Sequence, residues 1–224
     1  MAARITRVAI SMRIITVERE YGSGGARVAE KLARRLGWKL WDTELTQEIA
    51  RRAHIRPEAA ALHDERVKPL LYRLFKVFAR GSHERALPIG EGLSFDTDQM
   101  VDLLGRVVEE VAATGNSVIV GRGSPYILRN RPDIFHVFVF APLEEKIRRV
   151  RTLGKSEAEA RELVDTIDKE RAQFIKRYFG ADWPCRQLYD LMINSDRGDE
   201  YVIETILNGI ALAEKMGAAM AASQ

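Results

Sequence analysis

A single cysteine, Cys185, in 224 residues rules out an intramolecular disulfide framework and fits a reducing compartment, so a cytoplasmic location is expected. The four histidines never stand four residues apart, and no structural zinc site or other protein-built metal site is expected from them. No apolar run approaches the about 20 residues of a membrane span. Residues 1–11 lack the apolar core and cleavage site of a signal peptide; they are read as a tail, or as a start misassigned ahead of Met12. Excess charge is also scarce. Lys and Arg number 35 against 32 Asp and Glu, for a net +3. The cations are mostly arginine, the side chain suited to bidentate phosphate recognition, so a small anionic substrate explains them as well as nucleic acid does. Any one arginine away from a motif reads as solvated surface.

What is present begins at Arg13. An apolar β-branched run, Ile14 to Val17, breaks into Gly22-Ser23-Gly24-Gly25, and apolar residues then recur at helical spacing at Val28, Leu32 and Leu36. A strand, a glycine loop and a helix N-terminus in that order suit an anion such as phosphate; an ordinary strand-to-helix turn is the alternative. The loop lacks the parts of a Walker A sequence. Aligned on Gly24, the lysine position holds Gly25 and the hydroxyl position holds Ala26. A cation for the phosphates and an oxygen for a metal must then come from nearby, with Arg19, Arg27, Ser23 and Glu20 as candidates and Arg19 the preferred cation. The backbone N–H groups of Ser23 to Ala26 are expected to carry the phosphates.

Further along, Gly37 stops the first helix and 38–41 is a short strand. Asp42 or Thr43 would cap a helix over 44–53. Residues 57–79 carry an apolar stripe, Leu70, Leu71, Leu74, Phe75 and Phe78, opposite basic residues; it reads as core or as the contact of a homodimer. No aromatic platform accompanies the basic face, so a nucleic-acid partner is not expected. A loop follows over 81–94, then a capping box at Asp96 and Gln99 opens a helix to Ala113. The strand 117–120 ends in Gly121-Arg122-Gly123, which puts Arg122 where ligands bind in open α/β sheets or on a plain surface turn. In the strand 135–140, His136 reads as packed core. The helix 144–151 crowds Lys146, Arg148, Arg149 and Arg151, a repulsion that an intervening anion would relieve. A capping box at Ser156 and Glu159 opens a helix over 157–166, and a second helix is expected over 168–178. A strand at 191–194, a helix over 199–216 and a frayed tail over 218–224 complete one α/β domain.

The run ITVEREYGSGGARVAEKLARRLGWKLWDTEL resembles the cytidylate kinase-like family, whose opening motif R-E-Y-G-S-G-G is matched residue for residue by Arg19 to Gly25. The later blocks SVIVGRGSPYIL, VFAPLEEKIRRV and IDKERAQFIKRYFG extend the resemblance over about Ile14 to Leu207. The resemblance implies a three-layer α/β/α P-loop NTPase-type fold with a five-stranded parallel sheet in the order 2-3-1-4-5. Within a core of about 12–217 it places an NMP-binding insert at about 42–95 and a helical lid at about 148–180. The implied activity is phosphoryl transfer from ATP, with Mg²⁺, to a nucleoside monophosphate, CMP or dCMP first. The implied ATP and phosphate contacts are Arg19, Tyr21, Gly22, Ser23, Gly24, Gly25, Ala26 and Arg27, with Asn194 and Ser195 after the last strand. Arg19, Arg148, Arg149 and Arg171 would serve as catalytic cations; Asp42, Thr43, Arg122, Asp168 and Arg171 would serve the nucleoside monophosphate. Three positions depart from the family pattern: Glu44 in D-[ST]-G, Gly123 in G-R-D, and Glu48 where an arginine is usual. The alternative is a catalytically weak nucleotide-binding or regulatory protein that lost the Walker lysine. If the kinase reading holds, the loop 81–94 and the helices 157–178 should be loosely packed until both substrates close the site.

Overall fold

The computed structural model describes residues 11–52 and 97–222. The stripe over 57–79, the loop 81–94 and the cap at Asp96 lie outside the described residues. Five strands form one parallel sheet: β1 (Ile14–Arg19), β2 (Lys39–Trp41), β3 (Ser117–Val120), β4 (Ile134–Phe140) and β5 (Leu191–Asn194), in the order β2-β3-β1-β4-β5. β1 is central, with Ile15 opposite Val118 on one side and Phe135 on the other.

All six residues of β1 are buried, as a central parallel strand covered on both faces requires. Alternation assigns the faces. Ile15 and Val17 point to a core built with Val28, Leu32, Val137, Val139, Ile203 and Ile206. This face is covered by α1 (Gly25–Leu36) and α7 (Asp199–Ala222). Ile14 points the other way, into a core with Leu45, Val107, Val108, Ile119, Phe174 and Ile175. That face is covered by α2 (Thr43–Arg52), α3 (Thr97–Thr114), α4 (Ser124–Ile127) and the end of α6 (Glu157–Phe179). The result is three layers. β1 ends on two charged residues, so Glu18 belongs to one face and Arg19 to the other, and both are buried.

Three readings of the helices are corrected. The pair expected over 157–166 and 168–178 is the single 23-residue α6, opened by the capping box at Ser156 and Glu159. Asp168 starts no helix, because its carboxylate accepts from the Tyr21 N–H at 2.8 Å instead of capping its own backbone. Nor is α6 loosely packed: Ala160, Val164 and Ile167 join Tyr21, Ile147 and Val150, the last two from α5 (Leu143–Arg151), in a third small core. Lastly, α7 continues to Ala222 rather than fraying from Ala218, since alanine is the strongest helix former and the stretch is rich in it. His136 is packed as expected, its Nδ1 2.7 Å from the Thr16 hydroxyl, and burial lowers its pKa.

Candidate active site

The loop Glu20–Gly24 leaves the C-terminal end of β1 at the centre of the sheet, where strand ends converge. Gly22 and Gly24 both have positive φ, 76° and 77°. No side chain caps α1, whose N-cap is Gly24, so its N-terminal dipole opens on the loop. Gly25 has a different reason to be glycine. A Cβ there would come within 2.6 Å of the Arg19 Cβ and 3.2 Å of that of Val139. The helix starts so close to the sheet that no lysine fits at the Walker position.

The loop is braced from behind. Ser23 is fully buried; its N–H donates to the Glu20 carbonyl at 3.3 Å, its hydroxyl donates to the same carbonyl at 2.8 Å, and that hydroxyl accepts from the Gly25 N–H at 3.3 Å. Two of the four N–H groups expected to hold phosphate are therefore engaged inside the loop. The Ser23 hydroxyl is likewise turned inward and is no metal ligand on this geometry. The Ser23 carbonyl accepts from Arg149 Nη1 and from the Ser195 hydroxyl. Arg149 also donates to Glu145, to the Ser195 hydroxyl and to its carbonyl. Arg149 and Ser195 thus hold the loop in shape. Asn194 turns the chain after β5, its side chain accepting from the Asp196 N–H.

Two clefts flank the loop. The inner one, about 240 Å³, is lined by Arg19, Glu20, Tyr21, Gly22, Gly25 and Arg171 among others. The outer one, about 480 Å³, lies between Arg27, Arg148, Arg149, Thr152, Asp196 and Gly198. Arg27 reaches back beside the loop, where a Cβ on Gly24 would lie 3.3 Å from its Nη2, and there it forks onto Asp199 at 2.7 and 2.9 Å. Arg148 is exposed and forks onto Glu145. It shares Glu145 and the outer cleft with Arg149, apart from Arg19 and Arg171. The cationic crowding on α5 is relieved by carboxylates of the protein itself, Glu145 among them, rather than by an outside anion.

Beside the inner cleft, Arg19, Arg122 and Arg171 come together with Glu18 around a small void of about 10 Å³, closed by Phe174, Ile175 and Trp183. Arg171 donates to the Arg19 carbonyl at 2.7 Å and to Asp168 at 3.2 Å. Burial, with the Arg19 cation adding to it, lowers the Arg171 pKa to about 10. Burial pushes the Asp168 carboxyl up, against the pull of Arg171, the Tyr21 N–H and Lys146. Arg122 sits at φ 57°, an unfavourable backbone for arginine, held by bonds to Asp42 at 2.9 Å, to Thr46 at 3.0 and 2.6 Å and to the Val120 carbonyl at 2.8 Å. Asp42 and Arg122 are therefore brought together, each to the other. Thr43 opens α2 and is only half-buried.

Two of the three family departures have local causes. At Gly123 the φ is 69° and a Cβ would come within 2.8 Å of the Phe179 ring, so an aspartate is sterically excluded. Glu48 is held by Arg51 and Arg52, whose hydrogen bonds lower its pKa to about 2; α2 carries its arginines three and four residues later. Sequence reasoning overlooked Glu18, Thr46, Glu145, Asp199 and the bonding of Lys146. Only the Glu145 pairs had a visible signal, the i,i+3 and i,i+4 spacing to Arg148 and Arg149.

Among the described residues no cluster of three His, Cys, Asp or Glu side chains gathers as a metal site, and no helix is long and apolar enough to cross a membrane. Glu20, on the inner cleft wall, is the carboxylate that could meet a magnesium ion arriving with a triphosphate.

The fold is that of P-loop kinases. A gluconokinase from Sinorhizobium meliloti superposes with a TM-score of 0.51 over 94% of this chain and 97% of its own, at 16% identity. An uncharacterized protein from Eubacterium ventriosum superposes with a TM-score of 0.63 over 89% and 98%, at 23% identity. In sequence, a cytidylate kinase from Methanosarcina mazei is 25% identical over 137 residues, 59% of this chain and 76% of that protein. The profile of the cytidylate kinase-like family matches residues 14–197, most of the chain and all of the loop, clefts and arginine cluster described above except Gly198 and the α7 residues at the outer rim, and to that family the chain belongs.

Proposed function

We propose that this chain transfers a phosphoryl group from ATP to a nucleoside monophosphate, with CMP or dCMP the first acceptors to try. The observation that carries the reading is the junction of loop and lid: Arg171 of α6 donates to the Arg19 carbonyl at 2.7 Å, and both side chains line the glycine-loop cleft. Phosphoryl transfer needs little covalent chemistry from a protein. It needs in-line positioning and cations on the oxygens of the transferred group, and two buried arginines at one cleft are fitted to that. ATP phosphates would rest at Gly22 to Ala26, the adenosine would extend through the outer cleft past Asn194 and Ser195, and the acceptor would lie on the side of Asp42, Arg122, Asp168 and Arg171. Magnesium would arrive with ATP and supply charge neutralisation. Phe179 over Gly123 and the pairing of Arg122 with Asp42 make the acceptor side of this chain its own, so the base is a matter for assay.

The test is ADP release in a coupled assay with ATP, Mg²⁺ and a panel of nucleoside monophosphates. Stimulation by one or more acceptors is the expected result. ATP binding without stimulation by any of them would replace this reading with the catalytically weak nucleotide-binding protein.

A further inference from the structure

We propose that Lys146, reaching the loop from α5, supplies the ammonium that the loop lacks and contacts the terminal phosphates of ATP; this rests on reading the loop as a triphosphate site. Position 25 has no room for a side chain, so the cation must come from outside the loop. The neighbouring arginines hold the frame. Arg27 is forked onto Asp199, and Arg171 is anchored to the Arg19 carbonyl. Arg149 donates through Nε, Nη1 and Nη2 to Glu145, Ser23 and Ser195. The Arg19 guanidinium lies against Gly121 and Glu18.

Lys146, buried like Arg19 and Arg171, differs in carrying a single ammonium on an unbranched stem. Its ammonium pairs with two carboxylates, Glu20 at 3.0 Å and Asp168 at 3.4 Å. Glu20 lines the inner cleft, and Asp168 holds the Tyr21 N–H at the loop's entrance. The loop is also shaped around this lysine. A Cβ on Gly22 would come within 2.9 Å of the Lys146 carbonyl and 3.1 Å of its Cβ. From a Cβ beside Gly22, four single bonds let the ammonium sweep about 5 Å, enough to exchange carboxylate for phosphate without moving the backbone. A buried guanidinium anchored to fixed oxygens, as in Arg171, has no comparable freedom.

The experiment measures ATP and AMP binding by calorimetry in EDTA, so that magnesium plays no part. Lys146→Met should weaken ATP binding about ten- to hundredfold, the range of one charge-assisted phosphate contact, and leave AMP within about twofold. Because that variant strands two carboxylates, the pair Glu20→Gln and Glu20→Gln/Lys146→Met repeats the comparison with one of those charges removed, and the same selective loss is expected between them. Unchanged ATP binding, or equal weakening of ATP and AMP, would overturn the proposal and leave Lys146 a counter-ion. Failure of the wild-type chain to bind ATP would instead sink the proposed function, and this inference with it.

Discussion

The inner arginine cluster and the outer cleft use the same residue type in opposite ways. In the inner cluster Arg122 and Asp42 are each 1% exposed, and Arg19 and Arg171 are buried beside them. In the outer cleft Arg27 and Arg148 are 51% and 67% exposed, although their carboxylate partners are mostly buried. A buried guanidinium owes its charged state to a complete set of partners, and removing one partner leaves a charge in a medium that does not solvate it. An exposed guanidinium exchanges its partner for water at little cost. Removing a partner is therefore costly for the inner arginines and cheap for the outer ones.

The sharpest way to break this comparison is Asp42→Ala. It strips the carboxylate from Arg122 while leaving Thr46 and the Val120 carbonyl in place. The expected loss is about 3–5 kcal/mol in urea unfolding. Removing Glu30 from its exposed pair with Arg34 should change stability by less than about 0.5 kcal/mol. A loss below about 1 kcal/mol for Asp42→Ala would mean that water enters the cluster and that its arginines resemble the outer ones.

The second test puts the lysine back. Gly25→Lys places a Cβ 2.6 Å from that of Arg19, on the inner side of the loop, so the helix must withdraw from the sheet. A destabilisation of about 1–3 kcal/mol, with ATP binding lost, is expected. Arg19→Ala keeps the Cβ and tests the cation instead. Losing a charge-assisted contact should lower ATP-dependent turnover by about 1.5–3 kcal/mol of transition-state stabilisation, against a few tenths for Arg34→Ala. Equal small effects at Arg19 and Arg34, with ATP binding intact, would show that the loop is only a turn.

How far the sequence foretold these two regions differs for a physical reason. The strands, the glycine loop and the capping box at Ser156 are local patterns of period and composition, and each strand lies within two residues of its expected bounds. The order of the sheet came with the family resemblance. The partners of the arginines depend on contacts across the fold. Arg122 meets Asp42 80 residues away, and Arg27 meets Asp199 172 residues away. No spacing rule reaches that far. Asp168 reads as a helix start because its use, the Tyr21 N–H, lies 147 residues back. Gly123 departs from the family motif, and only the Phe179 ring above it explains why it must be glycine.

The smallest effect tests the outer cleft through pH. Burial alone would raise the Asp199 carboxyl, but hydrogen bonds from Arg27 and Lys31 prevail and hold it at about 2, below the 3.8 of a free aspartate. The unfolded chain thus takes up this proton first. The stability contributed by Asp199 is present above about pH 4 and is lost as pH falls through about 2. Because Arg27 is half exposed, solvent screening leaves only a few tenths to about 1 kcal/mol, or about 2 °C in melting temperature. Asp199→Asn should therefore melt slightly below wild type at pH 6, with the gap closing towards pH 2 and shrinking in high salt. Asp168 shows the opposite sign. Its carboxyl is pushed up by burial, so the folded chain takes up that proton first, and acidification does not withdraw stability through this group. A gap between wild type and Asp199→Asn that stays constant from pH 6 to 2.5, or that ignores salt, would show the Arg27 pair to be shielded from water, and the contrast between the two regions would fail at its outer end.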